Sequence, residues 1–159
     1  MTPLTVIALC LVAVTFGLSL AHALEYPGKV RLDEPTYRSV QAIYYPGFTI
    51  GGLVGELGSL ISVALLLAIT PVYSPRFGWT AAALGFMVLV HLTYWFVTHP
   101  VNRAWLVGTQ VSAAGRKFFA THSAGASDWR HMRNVWEMSH VARAVLAALS
   151  FLALTVAAV

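Results

Sequence analysis

Charge is what this chain has least of. Only 10% of its 159 residues are Asp, Glu, Lys or Arg, while 58% are hydrophobic. Soluble domains carry about 25% charged residues, so composition excludes a water-soluble globular enzyme. Cysteine is almost missing. The lone Cys10 lies inside an apolar run, which excludes an intramolecular disulfide framework and any Cys-x-x-Cys redox, zinc or covalent haem motif. Carboxylates are few, six against ten Lys and Arg, for a net charge of +4. No nucleic-acid motif accompanies that excess, so it is assigned to membrane topology and anionic headgroups, with no nucleic-acid partner. No internal repeat or low-complexity segment is present.

Long apolar runs are what the chain does have. Four of them, at residues 3–24, 44–71, 79–98 and 135–159, are long enough to cross a hydrocarbon core of roughly 30 Å. The predicted fold is all-α: one domain over residues 1–159, an integral membrane four-helix bundle in contact with the lipid bilayer. A short interfacial helix follows the first span, and a longer cytoplasmic segment precedes the last. Ala21-His22-Ala23 imitates a signal cleavage site, but Met1-Thr2-Pro3 offers no basic n-region, so the first run is read as a retained span. Nine Lys and Arg border the side reached after that span, and only Arg76 borders the other. The positive-inside rule then makes the first side cytoplasmic and both termini non-cytoplasmic.

Local signals refine the outline. Pro27-Gly28 predicts a turn after the first span, and Asp33-Glu34-Pro35 predicts the start of a helix over residues 36–45. Tyr37, Tyr44 and Tyr45 suit a headgroup-level aromatic belt. Pro46 predicts a kink. His99-Pro100 predicts the end of the third span, because proline disfavours helix at the residue before it. Asp128 reads as the N-cap of a final helix of about 30 residues, whose first turns protrude from the bilayer.

The candidate site begins at Glu56, since no other charged residue lies between Arg38 and Arg76. An intramembrane acid is costly and is read as functional: paired, protonated or metal-bound. Gly47, Gly51 and Gly55 form two GxxxG steps that let another helix approach closely, within the chain or from a helix partner. All six histidines fall on the cytoplasmic half. His22, Glu56, His91 and His140 come one from each span, and imidazole with carboxylate is a ligand set for a transition metal, here iron or copper. His22-x-x-Glu25 and Glu137-x-x-His140 echo the Glu-x-x-His of di-iron bundles; the latter is equally a helix-surface pair. Counting helical rise puts His91 and His140 about 7–11 Å inside and Glu56 nearer 18 Å. Arg143, a turn inside His140, either snorkels, holds a substrate oxyanion, or holds Glu56.

Pro100-x-Asn102-x-x-Trp105 and Trp129-x-x-x-Arg133-x-x-Trp136-Glu137-x-x-His140-x-x-Arg143 resemble the anthrone-oxygenase-like family of small four-span membrane proteins, most of whose members carry only an unknown-function label. The resemblance implies a compact four-helix bundle and, for some members, oxygenation of an electron-rich aromatic to a quinone. It also implies that Asn102, Trp105, Trp136, His140 and Arg143 line the cytoplasmic mouth. Relatives carry Asn where this chain has His140. That departure favours metal ligation here.

Three functions follow as expectations. The first is a membrane oxidoreductase of the oxygenase kind, acting on a lipophilic, aromatic small molecule. Glu56, Tyr94 and Arg143 would be catalytic, and Asn102, Trp105 and Trp136 would bind substrate. Its chemistry is either metal-assisted, or metal-free with a His or Glu as base; Tyr44, Tyr94, Trp95 and Trp136 would flank a planar ring. The second is a b-type haem protein, with His91 and His140 as axial ligands. The third is an accessory or assembly subunit that docks through the glycine face.

Overall fold

The computed structural model describes residues 1–44, 47–105 and 129–159, and among these every element is helical. In chain order they are α1 (Pro3–Lys29), α2 (Glu34–Tyr44), α3 (Gly47–Ile69), α4 (Pro75–Thr93), a π-helical turn (Tyr94–Thr98), α5 (His99–Trp105) and α6 (Trp129–Ala158). Among the described residues, four helical stretches are long and apolar enough to cross a bilayer: α1, α3, α6, and the continuous run from Pro75 to Arg103. The four-span, all-α membrane bundle is therefore observed, with α2 as the short helix after the first span. Without water to satisfy backbone groups, helices are the form these runs can take in lipid.

Capping residues set several ends. Thr2 accepts a hydrogen bond from the Thr5 N–H at 3.2 Å ahead of Pro3. Ser74 caps α4 ahead of Pro75 in the same way. Asp33 Oδ1 accepts from the Thr36 N–H at 3.0 Å and starts α2 as the sequence predicted. Pro46 and Asp128, the expected kink and cap, lie outside the described residues, as do Tyr45 and His122.

Two expected helix ends do not occur. Pro27 does not stop α1, which runs on to Lys29. Proline costs the helix one donor, but bonding resumes with the Val30 N–H on Tyr26 O at 3.1 Å. The Glu25–Lys29 pair, 2.9 Å apart, also straddles the proline. Nor does Pro100 end the third span. The chain instead widens into a π turn in which the His99 N–H reaches back five residues to Tyr94 O, and α5 continues the run. An inserted residue of this kind absorbs a missing proline donor, and π turns of this type cluster at functional sites. Since the run continues past residue 98 as far as Trp105, His91 lies deeper than counting from Pro100 indicated.

The spans form a closed ring in the order α1, α3, α4, α6, each packed on the next and α6 back on α1. Ala8, Val12, Val63, Met87, Ala147 and Leu154 fill the core. Leu53, Leu57, Ile61 and Leu65 of α3 face outward, as lipid contact requires. Between such helices, close packing and hydrogen bonds replace the hydrophobic drive. Ser150 Oγ donates to Ala83 O at 2.9 Å, and the Thr98 and Ser139 hydroxyls meet at 2.9 Å. The glycine stripe is occupied from within: a Cβ on Gly55 would sit 3.0 Å from both Thr15 Oγ1 and Val14 Cγ1, and one on Gly51 would sit 3.0 Å from Leu18 Cδ1. Gly58, not singled out from sequence, meets Leu11 similarly, whereas Gly47 meets nothing within 4 Å. Gly51 and Gly55 thus seat α1 and are not an open face for an outside helix.

Candidate functional site

Polar side chains gather at one end of the ring, where α1 finishes, α3 starts, the third span leaves and α6 enters. They form two groups. The inner one centres on Glu56, which is 5% exposed. Arg143 Nη2 donates to Glu56 Oε2 at 2.6 Å, and His91 Nδ1 lies 2.8 Å from Oε1. Trp95 Nε1, which can only donate, sits 2.9 Å from His91 Nε2. In a neutral His91 the proton is therefore on Nδ1 and points at the carboxylate. His91 and Trp95 lie four residues apart on the outward side, with side-chain exposure of 28% for His91 and residue exposure of 40% for Trp95. Arg143 also lies over the Tyr94 ring, 5.3 Å from its centroid.

His140 joins the groups. Its Nε2 is 3.4 Å from Arg143 Nη1 and accepts from it, which leaves the proton on Nδ1 for Trp136 O at 2.9 Å. Its ring packs on Trp136 and against His22, with centroids 4.0 and 4.4 Å apart. Tyr44 and Phe48 complete the aromatic box around His22.

The outer group centres on Lys29, which is 4% exposed. Its ammonium lies 2.9 Å from Glu25 Oε2, 3.7 Å from Glu137 Oε1 and 3.5 Å from His22 Nδ1. It also sits over the rings of Tyr44 and Trp136. Tyr37 donates to Glu137 Oε1 at 2.9 Å, and Tyr44 donates to Glu25. Burial, followed by the Glu137 charge, holds the Tyr37 phenol far above its ordinary pKa. Burial and the bond to Glu25 likewise raise Tyr44. Both phenols stay protonated donors at neutral pH, as their carboxylate partners require.

The predicted residues are thus partly assembled. Of the readings offered for Arg143, the structure selects the pair with Glu56. Asn102 and Trp136 meet through a 2.6 Å bond from the indole to Asn102 Oδ1. The Trp105 side chain lies outside the described residues. The four proposed metal ligands do not surround one point: Glu56 and His91 bond each other, His22 and His140 meet edge to face, and the Arg143 guanidinium bonds to both Glu56 and His140. No group of three or more His, Cys, Asp or Glu suited to a metal occurs among the described residues. His91 and His140, the haem pair, are linked through the Glu56–Arg143 ion pair rather than facing across an open slot. Glu137 does not form the expected surface pair with His140; it is fully buried and bound by Lys29 and Tyr37. The aromatic quartet is split as well, with Tyr44 and Trp136 around His22, and Tyr94 and Trp95 beside His91 and His99.

Lys29 is the residue that sequence reading missed. The signal was its spacing: His22, Glu25 and Lys29 fall at i, i+3 and i+7, one helix face if α1 continues through Pro27. No family model, curated protein or solved structure matches this chain.

Proposed function

We propose that the chain is a membrane oxidoreductase in which His91 is the general base toward a lipophilic aromatic substrate arriving from the bilayer. One observation carries the reading: Glu56 takes His91 by Nδ1, while Nε2 of this partly exposed ring accepts from the Trp95 indole. A buried carboxylate that fixes the tautomer and stabilises the imidazolium is the orienting arrangement used by hydrolytic triads. Arg143 holds that carboxylate in place through a 2.6 Å hydrogen bond.

The reaction in view needs no metal at the base. Substrate displaces the Trp95 indole, and Nε2 removes an acidic benzylic C–H proton, as in an anthrone. The carbanion gives two electrons to dioxygen and forms a C–O bond. The proton returns from His91 to the peroxide, and loss of water leaves the quinone carbonyl. The resemblance to the anthrone-oxygenase-like family supports this choice of substrate class. The Lys and Arg bias supports a site in the cytoplasmic half, with both termini outside.

A second reading draws on saturation: each Glu56 oxygen and each nitrogen of His91 and His140 already has a partner. The cluster would then be a polar pin in a non-enzymatic accessory subunit. Oxygen uptake by the purified full chain in lipid nanodiscs, with anthrone as probe, separates the two. On the oxidoreductase reading, uptake exceeds the spontaneous rate and falls about 10²–10⁴-fold in H91A, while R38Q is unchanged. Wild-type uptake equal to empty nanodiscs, or to H91A, overturns it.

A further inference from the structure

The third span leaves the bundle through a row of side chains that begins at His91 and ends at Arg103. The Trp95 ring lies 6.0 Å from that of His91 and 4.8 Å from that of His99, centroid to centroid. His99 is buried beside Tyr94, and its charged neighbour is Arg103. Imidazole, indole, imidazole and guanidinium thus follow one another at four-residue steps along one side of the run. Arg103 is the unusual member. It is partly buried, its Nε and Nη2 are enclosed, and neither has a hydrogen-bond partner. No ion pair to it occurs among the described residues. Glu137 and Arg143 also carry an unbonded atom, but each is held through its other atoms. An enclosed guanidinium edge without an acceptor carries a desolvation cost that an anion would remove. The rest of the row brings no negative charge.

We propose that Arg103 is a specificity-determining residue that binds a carboxylate on the aromatic substrate of His91. The inference rests on the oxidoreductase reading and names its substrate as an aromatic acid. Twelve residues of helix put about 18 Å of rise between His91 and Arg103. Helical side chains lean toward the N-terminus, so the guanidinium reaches back toward His99 and shortens the gap that a fused-ring acid has to bridge. Its rings would lie against Trp95 and His99, and the guanidinium fork would take both carboxylate oxygens. The reacting carbon then sits at the deep end of the row, with the charge at the polar end of the span. An anion at this point is placed in register with the base, which favours a group carried by the substrate over a lipid phosphate.

The test is equilibrium binding of two fluorescent probes, anthracene-2-carboxylate and its neutral carboxamide, to the full chain in phosphatidylcholine nanodiscs. Comparing variants in the same lipid cancels partitioning of each probe into the bilayer. The carboxylate should bind R103Q about 10–100-fold more weakly than wild type, the range for a hydrogen bond to a charged group. The carboxamide should bind both equally. R103K keeps the charge without the planar fork and should show a smaller loss, again for the carboxylate alone. Should R103Q fail to fold, R103K decides. R38Q, whose charge is spent on Glu34, should bind both probes as wild type does. Undiminished carboxylate binding in the Arg103 variants, or an equal loss of both probes, overturns the proposal. So does displacement of the carboxylate by phosphatidylglycerol added to the nanodisc, which would give Arg103 to a lipid phosphate. Binding is read without turnover, so the two readings fail separately. A carboxylate preference without oxygen uptake keeps the subsite and rejects the base, and uptake without the preference does the reverse.

Discussion

Tyr37 and Glu137 are 100 residues apart in sequence and 2.9 Å apart in space. The bond ties α2 to the inward face of α6, and both residues are fully buried. Glu137 Oε2 has no hydrogen-bond partner among the described residues, where the carboxylate is held by Tyr37 and Lys29 through Oε1. Y37F removes a hydrogen bond to a charged group at nearly constant volume, a loss of about 1.5–3 kcal/mol. The melting temperature in detergent should drop by roughly 3–12 °C for a chain of this size. S39A, on the exposed face of the same helix, should melt within about 2 °C of wild type. Equal melting of Y37F and S39A would mean that this tie does not secure α2.

The same tyrosine sets an alkaline limit. Its pKa is raised in the fold by burial and by Glu137, so the folded chain keeps a proton that the unfolded chain releases near pH 10. Stability linked to this group is fully present below that pH and declines above it. The slope from Tyr37 is about 1.4 kcal/mol per pH unit. Melting curves between pH 8 and 11.5 should bend downward near pH 10, and Y37F should be less steep than wild type. Parallel curves for the two proteins would remove the assignment.

At Gly55 the neighbours are stiff. An added Cβ would meet the β-branched Thr15 and Val14 at 3.0 Å and the Thr15 backbone nitrogen at 3.3 Å, and such side chains have little χ1 freedom with which to yield. G55A should cost about 1–3 kcal/mol through forced separation of α1 and α3. G47A, with nothing within 4 Å, should be neutral or slightly stabilising, since Ala is the better helix former. Thermal melts of the two variants read the difference. If G47A were the damaging one, the stripe would be serving a partner outside the chain.

The spans were legible because a bilayer imposes a single rule, about 20 apolar residues in a row, and four runs obey it. Glu56, His91 and Arg143 were legible for the same reason, since an isolated polar group in such a run must find a partner. Pro27 and Pro100 misled because local rules treat proline as a stop. Here, side-chain pairing across Pro27 and a π turn before Pro100 carried the helix onward. That error hid Lys29, which a turn at Pro27-Gly28 would have taken off the face of His22 and Glu25. It also made His91 look too shallow to meet Glu56. Glu137 was misassigned for another reason. Helical spacing gives the neighbours on its own helix, and the residue that claims it, Tyr37, belongs to α2.

Glu56 and Arg143 yield the sharpest expectation, because each is buried and the pair spans α3 and α6 at 2.6 Å. Removing one partner leaves an uncompensated charge in low dielectric, a cost of about 3–5 kcal/mol. E56Q should therefore be badly destabilised, with Arg143 left facing a neutral amide. R143M should also lose stability, since it leaves the Glu56 carboxylate without its cation. E56Q/R143M carries no orphan charge, and replacing a buried ion pair by neutral groups is often close to neutral. The double variant should thus be more stable than either single one, with a coupling energy of at least about 2 kcal/mol in the cycle. Unfolding in detergent provides all four values. Additive losses would mean that the ion pair contributes no coupling to the fold, and that Glu56 is held by His91 alone.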